Sequence, residues 1–295
     1  MKFKIMLSTF SLLLSTSFMS AQVVLEVVTK TIERSFPYTN TGNIAIIGEN
    51  ASIKIIGSQG NEVKLTLKLI SKNRHKEIAV EELNNIKYIA EKKGENIYLR
   101  NYFLERKEQA SPGSILKVEY ELSIPMKANV EINNNLGNVG IKNIDGKVSV
   151  IVRYGNVNLS NIKGGLFIDL SLGDATISQA GGTNNIKAEH SDIGMEDISG
   201  KCTFKLKSSD LSFKLNNTVE QVDVEARSGD ITFLRNGAEE FNYEASSYYG
   251  GIRVIEGLKK YLHIDKNKSS LEKKDEKANK IINVKASYGN LIIKE

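Results

Sequence analysis

The chain has 295 residues with 40 Lys+Arg, 35 Asp+Glu, three His, one Cys and no Trp; 23 Gly stand beside only 3 Pro. A net charge of only +5, spread thinly over the chain, argues against a nucleic-acid partner. A lone Cys202 excludes an intramolecular disulfide framework, so the fold has to rest on a hydrophobic core, for which this length suffices as one or two domains.

Residues 1–21 read as a signal peptide. Lys2 and Lys4 supply a positive start, Ile5 to Leu14 an apolar stretch, and Ala21 a small residue before the cut. Taking those two lysines from the 40 leaves 38 Lys+Arg against 35 Asp+Glu in the mature chain. Export is expected, to a periplasmic, cell-surface or extracellular location. No Cys follows the apolar run to accept a lipid, and no later run of about 18 apolar residues offers a transmembrane segment.

Residues 22–127 read as a smaller N-terminal β-rich part with one helix. The runs Gly42-Asn43-Ile44-Ala45-Ile46 and Ala51-Ser52-Ile53-Lys54-Ile55, then Val63 to Leu67, alternate apolar with polar, the mark of strands with one buried face. Ile78, Leu83, Ile86 and Ile89 predict a helix over 77–92, with Gly94 as its stop. Strands over 97–103 and 115–124 lead to Pro125.

Residues 128–295 repeat one phrase. With Gly137, Gly155, Gly173, Ser191, Ser209, Gly229 and Gly250 as origins, the intervals are 18, 18, 18, 18, 20 and 21, and a late copy starts at Gly289. Asn or Asp follows most origins, and aliphatic or aromatic residues stand two and four places on, as in Val139 and Ile141 or Ile231 and Phe233. Between the halves of each unit sits a glycine corner, such as Gly146 or Gly164-Gly165. Eighteen strand residues trace a path of at most roughly 60 Å. A unit of nearly constant length and phase is therefore one rung of a flattened coil, and each rung stacks on the last. The fold class predicted is all-β: a parallel β-solenoid, right-handed β-helix-like, with rungs of about 18–21 residues. Residues 257–280, with eight lysines against four acids, interrupt the repeat and read as a dispensable lysine-rich insertion. The strand Ala286 to Ile293 is expected to close the end of the stack.

The entry strands "VEYELSIPMKANVEINNNLGNVGI" and the Gly-Asn/Asp-aliphatic units after them resemble the bacterial putative-adhesin domain family, over about residues 35–295. The resemblance implies an exported or envelope-associated β-solenoid and suggests adhesion by analogy alone. It brings no catalytic residues.

Asp174, Asp192, Asp210 and Asp230 fall in one column. Like charges about 5 Å apart repel by on the order of 1 kcal/mol per pair even in water, so a bound cation would relieve them. The competing and favoured reading is that Asp and Asn serve there as turn residues. Tyr154, Tyr249 and Tyr288 each precede an origin glycine, with Tyr248 beside one of them, and aromatic rings in a row suit the apolar faces of sugars. Simple packing at the rung edge competes with that reading. His75, His190 and His263 are scattered without metal-ligand spacing, and no acid/base pair can be chosen. No catalytic residue, metal or cofactor is assigned. The expected function is a noncatalytic adhesin-like or scaffold module with a surface protein or glycan as partner; an envelope assembly or stress module, or a carbohydrate-active enzyme, are the alternatives.

Overall fold

The computed structural model describes residues 24–39, 41–104, 113–235 and 241–295; the signal peptide expected over 1–21 lies outside them. In chain order, β1 (Glu26–Pro37) precedes a first rung, β2 (Asn43–Gly48) and β3 (Ala51–Ser58). An excursion follows: β4 (Glu62–Asn73), helix α1 (Lys76–Leu83) and β5 (Ile86–Lys93). A second rung is β6 (Asn96–Phe103) with β7 (Ile115–Pro125). The regular rungs are then β8 (Asn129–Asn134) with β9 (Val139–Ile144), β10 (Val148–Val152) with β11 (Val157–Ile162), and β12 (Leu166–Ser171) with β13 (Ala175–Ala180). They continue as β14 (Thr183–Glu189) with β15 (Ile193–Glu196), β16 (Gly200–Lys207) with β17 (Leu211–Lys214), and β18 (Val219–Arg227) with β19 (Ile231–Leu234). The chain ends with β20 (Phe241–Tyr248) and β21 (Ile252–Arg253), a 3-10 turn (Glu256–Tyr261), β22 (Leu262–Asp265), β23 (Lys268–Lys273), and the rung β24 (Lys280–Ser287) with β25 (Leu291–Lys294).

Each rung places one strand in each of two sheets, which among the described residues have 12 and 13 strands. Within each sheet the rung strands pair in parallel, Val157 with Ala175 and Val148 with Leu166 for example. This is the parallel solenoid that the repeat predicts. Val139, Val157, Ala175, Ile193, Leu211 and Ile231 are all buried and stack as one inward column; burying each larger aliphatic contributes about 1.5–3 kcal/mol. Phe204, Phe213 and Phe233 are fully enclosed, with ring centroids 5.9 and 6.2 Å apart along the series. At Gly155 the backbone has φ +146°, and an added Cβ would lie 2.3 Å from the Gly137 carbonyl oxygen, so this corner admits only glycine without a shift. Several inward positions are polar, among them Asn134, Asn184, Ser247 and Ser269. Asn184 is fully buried between Leu166 and Cys202 in its column, and its Oδ1 has no hydrogen-bond donor among the described residues.

The spatial order of the rungs departs from chain order at both ends. At the front, β2/β3 lies between β6/β7 and β8/β9, and β4 and β5 then pair antiparallel on β7 and β6. At the back, β24/β25 lies between β18/β19 and β20/β21.

Three expectations are corrected here. The helix read over 77–92 stops at Leu83; Ile86 onward is β5, and Gly94 (φ +59°) turns a hairpin into β6 instead of ending a helix. Asn84 and Asn85 break the helical run, and the open edge of β6 supplies hydrogen-bond partners that a longer helix would forgo. The strand Ala286 to Ile293 does not close the stack but belongs to the interpolated rung. What covers that end is the stretch read as a loose insertion: β23 pairs antiparallel with β20, and β22 with β23. Leu271 and Ser269 of β23 are buried, continuing the inward columns of Ala245 and Ser247, because an uncovered β20 would leave a row of unpaired amides.

Candidate functional site

The four aspartates lie on successive rungs at the start of β13, β15, β17 and β19. Their carboxylates belong to a longer series in which each Oδ1 accepts the backbone N–H of the equivalent residue one rung on: Asp192 N–H to Asp174 at 3.1 Å, Asp210 N–H to Asp192 at 3.4 Å, Asp230 N–H to Asp210 at 2.7 Å. Asn138 and Asn156 do the same at 2.9 and 3.0 Å. A carboxylate accepting an amide makes a charge-assisted bond, so one oxygen of each of Asp174, Asp192 and Asp210 is engaged in joining rungs. A shallow groove of about 400 Å³ runs beside them past Thr176, Gly194 and Ser212. Among the described residues no three His, Cys, Asp or Glu side chains are grouped to hold a metal ion.

The tyrosines divide into two places. Tyr249 and Tyr288 stand on neighbouring rungs, 61% and 59% exposed, stacked with centroids 5.2 Å apart and planes 10° from parallel. Tyr248 ends β20 close by, with Lys268 Nζ 5.3 Å from its ring centroid. Tyr154 is exposed on the same corner, but five rungs away, about 24 Å at about 4.8 Å per rung. Beside it in the corner column stand Leu136 and Leu172, both exposed, where rungs farther along carry His190, Ser208 and Ser228.

A larger hollow lies elsewhere. On the outer face of the 13-stranded sheet a groove of about 830 Å³ crosses β2, β8, β10, β12 and β14. Its floor is low because Ser149 is the only side chain between Glu131 and Phe167 in their ladder, and Gly165 and Gly182 add none. Phe167 is the one aromatic residue lining it. The ladder places Phe167 between Ser149 and Asn185, and Lys187, which does not line the groove, holds its ammonium 5.5 Å from the ring centroid. Lys163 is tied to Asp145 at 2.9 Å. The side chains of Glu131, Lys147, Thr183 and Asn185 make no hydrogen bond within the described residues.

Residues 41–294 match the protein family described as Toastrack DUF4097, a span from the first rung to the last strand. The chain belongs to that family. Among solved structures, the Toastrack chain matches a "putative adhesin" from Bacteroides fragilis NCTC 9343, with 12% identity over 90% of this chain and 96% of that one at a TM-score of 0.49, and a "putative adhesin" from Parabacteroides distasonis ATCC 8503, with 11% identity over 91% and 97% at 0.41. A "putative lipid binding protein" from the latter organism matches with 10% identity over 89% and 96% at 0.32. Comparison with curated proteins gives no match.

Sequence reasoning picked out the stacked tyrosines of this Toastrack chain and missed Phe167. The signal was present: Phe167 is a large aromatic at an outward position, between the inward Leu166 and Ile168, two residues after the glycine pair Gly164-Gly165.

Proposed function

We propose that this Toastrack chain is an exported, noncatalytic binding module that presents its long outer faces to a partner at the bacterial envelope surface. The carrying observation is the groove at Phe167, whose unpaired polar side chains stand in rows fixed by rung register, so that a ligand meets a preformed surface. The leader-like residues 1–21 support export. A noncatalytic role is favoured because no cluster of titratable groups in the groove has the paired carboxylates or the metal-ligand set that hydrolysis or elimination chemistry requires.

The test uses the mature chain, residues 22–295, immobilised and exposed to envelope fractions and to a glycan array. Retention without release of products supports the reading. Turnover of a bound polysaccharide overturns it in favour of the enzyme.

A further inference from the structure

The geometry points to an extended oligosaccharide as the occupant of the Phe167 groove, lying along the coil axis with one sugar ring per rung; this inference rests on the binding-module reading above. The groove spans the rungs from β2 to β14, four spacings of about 4.8 Å, and each spacing is close to the length of one pyranose ring. A chain of equatorially linked sugars therefore keeps step with the ladder over the whole groove.

The lining selects the same ligand class. Backbone amides and carbonyls in the middle of the sheet are used up in ladder pairing, so a peptide strand finds no partner for its own backbone there. Recognition falls to side chains. Phe167 has no polar tip, and its ring offers only an apolar surface, which suits the C–H face of a sugar. Its position is steadied from outside the groove by the Lys187 ammonium. Around it, Asn185 and Thr183 on one flank and Glu131 and Lys147 on the other supply donors and acceptors at the reach of ring hydroxyls. Gly165 and Gly182 keep the floor open. Both have positive φ, so a side chain there is disfavoured by backbone as well as by space.

The experiment measures binding of cellohexaose, chitohexaose and β-1,4-mannohexaose, and of the matching disaccharides, to residues 22–295 by calorimetry. The expected result is binding of at least one hexasaccharide, more than about tenfold tighter than its disaccharide, because several rungs contribute. Phe167→Ala should weaken it by about tenfold or more, and Ser149→Arg should block it by filling the floor without removing the ring. Both variants should melt with the parent, and Tyr288→Ala, outside the groove, should bind normally. Equal affinity for di- and hexasaccharide overturns the inference, as does hexasaccharide binding that is indifferent to both groove variants. If none of the three hexasaccharides binds while envelope fractions are still retained, the oligosaccharide inference fails and the binding-module reading stands. If retention is absent too, both fail.

Discussion

Asp230 Oδ1 accepts both the backbone N–H of Asn290, at 2.8 Å, and its side-chain Nδ2–H, at 3.0 Å, although 60 residues separate the two. This is where the last rung of the chain joins the series of amide-to-carboxylate bonds, which then passes from Asn290 Oδ1 to the Gly251 N–H at 3.0 Å. The series follows space and not chain order. Asp230→Ala should therefore destabilise the protein by about 1–3 kcal/mol, since two donors lose one charged acceptor at a half-buried site. Asp174→Ala, which frees a single exposed amide, should cost less. Denaturant midpoints compare them; equal shifts would mean that the interpolated rung does not depend on this junction.

Chelation should leave the melting temperature unchanged. In the aspartate column one oxygen of each of Asp174, Asp192 and Asp210 is already held by the next rung's amide, and a protein with no bound ion has no ligand-linked stability to lose. A fall with EDTA that calcium restores, absent in Asp192→Asn/Asp210→Asn, would assign the column to cation binding.

The C-terminal hairpin should be indispensable. Leu271→Asp puts an unpaired charge at a fully buried position of β23, a change expected to cost about 3 kcal/mol or more. Deleting residues 266–280 should cause aggregation by baring the edge of β20. A deletion variant that stays monomeric and melts cooperatively would contradict this.

Asn184→Val should stabilise the fold. The substitution continues an aliphatic column and removes a buried carbonyl oxygen with no donor, whose desolvation costs about 1–3 kcal/mol. An unchanged or lower melting temperature would show that the amide contact to Cys202 Sγ at 3.8 Å matters more than the orphaned oxygen.

Stability should decline in alkali. Burial pushes the Cys202 thiol up to about 12 and also raises the Tyr120 phenol. A raised folded-state value means that the unfolded chain releases the proton first. The associated stability is whole below about pH 8.5, the ordinary thiol value, and is lost as pH climbs towards the folded value. Cys202→Ala should flatten the upper part of the profile measured by urea titration, and an identical slope would rule out the thiol as a contributor.

The rungs were legible in the sequence because a solenoid writes its cross-section into every unit. Val139, Val157 and Ala175 mark the same inward place at intervals of 18, and stacking needs nothing more. The order of rungs at the back end was not legible. Ile231, Leu291 and Ile252 fill one column with interchangeable side chains, so no local pattern tells which rung neighbours which. The hairpin was hidden for a related reason: only Leu271 and Ser269 of β23 face inward, too few to stand out among lysines. For the candidate site, the aromatic corner could be read from Tyr249 and Tyr288, whereas the groove depends on missing bulk at Ser149, Gly165 and Gly182, which a search for reactive residues passes over.

The interpolated rung also sets an order of assembly. A chain emerging from its N-terminus makes β2/β3, then β6/β7 and β8/β9, and each new rung finds its native neighbour already made. At the other end β20/β21 emerges before β24/β25, the rung that separates it from β18/β19. Until residues 280–294 are free to pair, β18/β19 keeps an open ladder edge and an uncovered apolar column, the state most exposed to wrong pairing with another copy. Completion of this coil therefore waits for β24 and β25, and a product ending before Lys280 lacks the segment that lets its two halves meet.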